Sequence, residues 1–220
     1  MNFEGFSAGA WRQQYQYKSF TPVLVNHDWH WQDPRINTLL ERATRALGEL
    51  NAFSLIVPDV DLFIEMHIAK EANLSSRIEG TQTAMDEALM SEELIAPEKR
   101  DDWHEVRNYV DAINMAIDEL KRLPLSTRLL CQTHAILMRG VRGEHKQPGE
   151  IRNSQNWIGG TRPGNASFVP PPPGLVETCM GQLEHFIHGT PDGARFLPVL
   201  VRTALAHVQF EPPRPAAADG

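Results

Sequence analysis

Between Asp102 and Arg122 the apolar residues Trp103, Val106, Val110, Ile113, Ile117 and Leu120 recur at steps of three and four. That spacing gathers them on one face of an α-helix and scatters them on a strand, so the centre of the chain can only be helical. The same period governs Ile36, Leu39, Leu40, Ala43, Ala46 and Leu47, giving an amphipathic helix over 35–50. Pro58 breaks the pattern, and a further helix is expected over 59–78. Ser126 suits the N-cap of a helix reaching Met138, with Gly140 to end it. Helices are expected again over 175–187 and 196–210. From Leu197 to Phe210 only Arg202, Thr203, His207 and Gln209 interrupt the apolar run, the pattern of a helix buried nearly all round.

Two stretches depart from this habit. Residues 1–35 mix Trp11, Tyr15, Tyr17, Phe20, Trp29 and Trp31 without a period, which reads as an arm laid over a domain surface. Residues 146–173 hold Pro148, Gly149, Gly159, Gly160, Pro163, Gly164 and four prolines from Pro170 to Pro173. Within them, 155–158 and 167–169 are expected to be short strands about a turn at 161–166, a β-hairpin flap in an otherwise helical protein. The expected fold class is therefore mainly α.

The formal charge of −7 and an isoelectric point near 5.7 give no basic footprint for nucleic acid. No segment has the length of a membrane span, and the N-terminus lacks an apolar signal region. Cys131 and Cys179 lie in helical segments without Cys-x-x-Cys spacing, as free thiols of a reducing compartment would. Cytoplasmic residence is the expectation.

Candidate chemistry is sparse. In Leu74–Thr81, LSSRIEGT, Ser75 and Glu79 stand four apart on one helix face and Gly80 lets the helix end. A carboxylate in a last helical turn opposes the free carbonyls there by about 0.3–1 kcal/mol. Two roles fit Glu79: a carboxylate presented to an arginine or phosphate site and oriented by Ser75, or a solvated glutamate beside a C-cap glycine. The Gly/Pro segment has two roles as well, a structural hairpin or a lid whose edge accepts an extended peptide. Its glycines lack phosphate-loop spacing. His207 reads as a hydrogen-bonded core residue, as do His67 and His134. No metal-ligand spacing and no nucleophile–base arrangement can be assembled, so no metal ligand is assigned.

In this order SSRIEGT, PGEIRNSQNWIGGTRPGNASFVPPPP and LPVLVRTALAHVQFE resemble the Fic family, in particular members with an N-terminal inhibitory helix. The resemblance implies a helical protein that transfers AMP from ATP, with Mg²⁺, to a hydroxyl side chain of an unidentified protein target. It implies that Ser75, Glu79 and Gly80 form the inhibitory motif at the ATP site. It also implies that the flap aligns the target by backbone pairing, with Trp157, Ile158, Gly159, Gly160, Phe168 and Val169 as docking residues. The domains it implies are an N-terminal helical region at 1–100, a partial Fic core with the flap at 101–211, and a Pro/Ala tail without regular structure at 212–220.

The family's catalytic motif, His-Pro-Phe-x-Asp-Gly-Asn-Gly-Arg, should begin after AHVQFE. At the position of its histidine stands Arg214, followed by Pro215, Ala216, Ala217 and Ala218; Asp219-Gly220 echo the family's Asp-Gly one residue out of register. A guanidinium does not deprotonate near neutral pH and is no general base. The expectation is a chain without a catalytic residue, truncated or shifted in frame at the motif, lacking the helices that follow it and incompetent in AMP transfer. ATP and Mg²⁺ are implied for intact relatives. The alternatives are a non-catalytic protein-binding module, a homo-oligomer among its forms, or a nonfunctional fragment.

Overall fold

A computed structural model describes residues 7–78, 87, 90–141, 145–189 and 197–211. Glu79, Gly80, Arg214 and the tail 212–220 lie outside the described residues. The described residues are mainly helical, with six α-helices and one two-stranded antiparallel sheet. They fall into two units, residues 1–49 with 151–220 and residues 50–150.

The second unit is helical. Helix α1, Pro34–Ser54, crosses the boundary between the units and has no buried residue. Helix α2, Val60–Ile78, is followed by short 3₁₀ turns at Glu92–Leu94 and Pro97–Lys99 and by helix α3, Arg100–Leu120. Helix α4 is Thr127–Leu137. The stripe read from the sequence works as expected in its first half. Val106 is fully buried against Ala72 of α2, with Tyr109 and Val110 packed around them, while Ile117 and Leu120 stay exposed. Ser126 caps α4, its Oγ accepting the Leu129 N–H at 3.3 Å. At the other end Asn108 of α3 donates from Nδ2 to the carbonyls of Leu137 and Arg139, at 3.3 and 2.7 Å, satisfying groups that a helix end leaves free.

In the first unit strand β1, Gly9–Gln13, pairs antiparallel with β2, Lys18–Pro22, placing Trp11 opposite Phe20. The stretch expected as an arm laid over a domain surface thus contains the two-stranded hairpin of the described residues. Helices α5, Pro173–Ile187, and α6, Val199–Phe210, follow in this unit. Its core joins Phe186 of α5, Leu205 of α6, Val25 and Trp29, with Leu197, Val201 and Ala206 packed against them. The Trp29 indole N–H donates to the Val25 carbonyl at 2.9 Å, so the ring is buried with its one polar atom satisfied.

The all-round burial expected of residues 197–210 is not found. Leu205 and Gln209 are buried, but Val199, Val208 and Phe210 are exposed, because the packed residues of this helix lie on the face toward Phe186, Val25 and Trp29. Likewise His207 is no core residue. It sits at the exposed end of α6, its Nε2 3.9 Å from a Glu211 carboxylate oxygen.

Candidate functional site

The flap forms around one backbone pair. Ile158 N–H donates to the Phe168 carbonyl at 2.8 Å and Phe168 N–H donates back to the Ile158 carbonyl at 3.1 Å, with Ser167 N–H on the same oxygen at 2.9 Å. This reciprocal pair is an isolated antiparallel bridge and not the pair of strands expected over 155–158 and 167–169. The sequence explains the shortfall. Pro170 to Pro173 carry no N–H, so the returning arm has no donors with which to extend a ladder.

Side chains take over where the ladder stops. Arg152 donates to the carbonyls of Ser154, at 3.0 Å, and of Pro171. Gln155 Nε2 reaches the Pro170 carbonyl at 3.1 Å and that of Asn156 at 2.9 Å. The Tyr17 hydroxyl donates to Gln155 Oε1 at 3.3 Å. Burial lowers the Arg152 pKa from its ordinary value, with Tyr17 opposing the shift, and the guanidinium stays charged near neutral pH. Arg152 and Gln155 were not singled out from the sequence. The signal available was a run of proline carbonyls needing donors, with an arginine and a glutamine just before the opposite arm.

The tip of the flap is also built on side-chain bonds. Asn165 Oδ1 accepts the N–H groups of Thr161 and Arg162 at 3.0 and 2.9 Å, and its Nδ2 meets Thr161 Oγ1 at 3.2 Å. Gly159 and Gly160 take φ of +69° and +68°, the left-handed region that turns the chain into this loop.

The two sides of the flap differ. Phe168 and Val169 are buried, whereas Trp157 and Ile158 are 41% and 43% exposed. The Val169 carbonyl accepts the Phe20 N–H of β2 at 2.8 Å. Backbone hydrogen bonding thus runs from β1 through β2 and Val169 to the Phe168–Ile158 bridge. Beyond that bridge, the backbone N–H and C=O of Trp157 meet no backbone partner among the described residues. An open groove of about 580 Å³ lies beside the flap, lined by Trp11, Tyr17, Lys18, Pro163, Gly164 and Phe168 among others.

Ser75, in the last turns of α2, donates its hydroxyl proton to Glu71 Oε1 at 2.9 Å. A serine has one such proton, so in this arrangement it is not offered to a second carboxylate. Glu71 also lines an apolar groove of about 280 Å³ with Phe63, Ile64, His67, Ile68, Tyr109 and Ile113. His67 is exposed and uses Nδ1 as a donor to the Phe63 carbonyl at 2.9 Å. His134, also exposed, accepts the Gly149 N–H on Nδ1 at 3.0 Å. Both are hydrogen-bonded as expected, and neither is a core residue.

Among the described residues no three His, Cys, Asp or Glu side chains gather as a metal-holding group, and no helix is long and apolar enough to cross a membrane. Cys131 and Cys179 are free thiols, and burial raises the Cys179 pKa.

No curated protein matches the chain. Residues 37–118 match the family model described as Fic/DOC family N-terminal. This match contains the LSSRIEGT segment and ends before the flap.

Proposed function

We propose that this is a Fic-type protein whose flap docks an extended segment of a protein target by strand addition, and that the chain as written does not carry out the AMP transfer of intact relatives. The observation that carries the docking role is the Ile158–Phe168 bridge, with Trp157 exposed and its backbone groups free of backbone partners among the described residues. Such an edge gives affinity through main-chain bonds and selectivity through alternate side chains. In intact relatives ATP with Mg²⁺ supplies the AMP group. The described residues offer no metal-holding group, so no step through either is assigned to them. Ser75, Glu79 and Gly80 keep the role of an inhibitory motif in this reading, within a protein of the cytoplasm.

The catalytic half of the proposal rests on Arg214. Without a histidine at that position no side chain in the motif takes the proton of the target hydroxyl, and loss of a general base costs about 10²–10⁴-fold. Incubation of the chain with α-labelled ATP, Mg²⁺ and a cell lysate is expected to leave proteins unlabelled above background. Robust labelling would overturn the claim of inactivity while leaving the docking role to be tested by itself.

A second reading, self-association, is favoured by apolar side chains in water. Leu47, Leu50 and Phe53 on α1 are exposed, and so are Leu62, Phe63 and Met66 on α2. Apolar side chains left in water mark interfaces where they gather into a patch. Sedimentation across a concentration series is expected to show reversible association that Phe53→Ser weakens; a monomer at every concentration would remove this reading.

A further inference from the structure

We infer that the N-terminal hairpin is the support that holds the flap in place, with Trp11 and Phe20 as positioning residues. The inference rests on the docking role proposed above and adds which edge of the flap a target segment can use.

Three observations carry it. The first is backbone continuity. Phe20 N–H donates to the Val169 carbonyl, so the inner edge of the returning arm is already taken by β2. In an extended chain successive residues point their backbone groups to opposite sides, which is why Phe168 faces Ile158 while Val169 faces Phe20. The second follows from the register. Because the N–H of Phe20 turns away from β1, Trp11 and Phe20 form a non-hydrogen-bonded cross-strand pair, the kind whose side chains stand closest.

The third is the aromatic cluster. The Trp11 ring meets Phe20 and Phe168 edge to face, both at 5.7 Å between centroids, and Phe20 lies 5.9 Å from Phe168. Phe20 and Phe168 are buried. One residue from each hairpin strand and one from the flap therefore share a single packing unit. A flap with one bridging pair and a proline arm has little backbone pairing of its own, and an isolated two-stranded element is marginal in water. The hairpin supplies the missing contacts. With the inner edge closed, an incoming extended segment is left the outer edge at Trp157.

Backbone amide exchange of the full chain tests this without any ligand or nucleotide. Trp11→Ala is expected to speed exchange of the Ile158 and Phe168 amides about tenfold, with the 100–137 helices unchanged. Trp11→Phe, which keeps an aromatic edge in the cluster, should bring exchange back toward the parent rate. Trp157→Ala, on the exposed side, should leave the Phe168 amide as it was. No acceleration at Ile158 and Phe168, or an acceleration shared equally by 100–137, would overturn the inference. Failure of AMP transfer or of target docking would bear on the proposed function and not on these rates.

Discussion

Phe186→Ala is expected to destabilise the first unit by about 3–5 kcal/mol, among the largest effects of a single substitution in this chain. The ring is fully buried in α5, closed in by Val25, Trp29 and Leu205 with Leu197, Val201 and Ala206 behind them. Truncation removes the transfer free energy of the ring and leaves a cavity whose walls belong to two helices and a loop. Those walls cannot all collapse at once. Trp29 is anchored by its bond to the Val25 carbonyl, and Asn26 is held to Gln182 of α5 through its Nδ2, at 2.7 and 2.8 Å. A loss of that size is comparable with the whole stability of a small unit, which runs from about 5 kcal/mol upward. Urea unfolding followed by tryptophan emission should therefore show a large fall in midpoint. Phe186→Leu, which keeps most of the volume, should cost less than about 1.5 kcal/mol. Equal midpoints for the parent and the alanine variant would mean that this cluster does not hold the unit together.

The helices were legible because their signals are local. The three-and-four stripe after Asp102 became α3, and Ser126 followed by a periodic run became a capped α4. The β1–β2 hairpin was not legible. Strand β2 buries Ser19 and Phe20 in succession, and β1 buries no residue, so neither shows the alternation that marks a strand with one buried face. Their long-range partners are Val169 and Phe168, far along the chain, and no local pattern announces such a partner. The flap was half legible. Its glycines and prolines marked the turn and the residues that meet, but the proline arm that signalled a loop also limited the pairing to one bridge. Burial of α6 was overstated because an apolar composition does not say how many faces find a partner. Ser75 shows a limit of spacing itself. Glu71 and Glu79 stand four residues to either side of it, so periodicity cannot choose between them, and the described contact is with Glu71.

Gly160→Ala is expected to open the flap while sparing the helices. At φ +68° an alanine bears the left-handed cost of about 1–2 kcal/mol. Its Cβ would also fall well inside contact of the Asn165 carbonyl oxygen, and at 2.8 Å from both the Asn165 carbonyl carbon and its Oδ1. Those atoms are not free to yield. Asn165 is fixed by the two N–H groups its Oδ1 accepts and by its own N–H on the Arg162 carbonyl at 3.1 Å. Gly159→Ala should be milder, since its nearest obstacle is the Ser167 hydroxyl, the end of a side chain that can rotate. Gly160→Asn separates the two causes: asparagine tolerates the left-handed region but keeps the Cβ, so it should open the flap nearly as much as alanine if contact dominates. Because the loop can open without unfolding its unit, the midpoint in urea should move little, while the Ile158 and Phe168 amides lose protection by about tenfold or more. An unchanged Phe168 amide in Gly160→Ala would mean that the tip does not govern the bridge. If it does, the consequence reaches binding, because a target that pairs only with the closed flap sees its affinity multiplied by the fraction of chains in which that flap is formed.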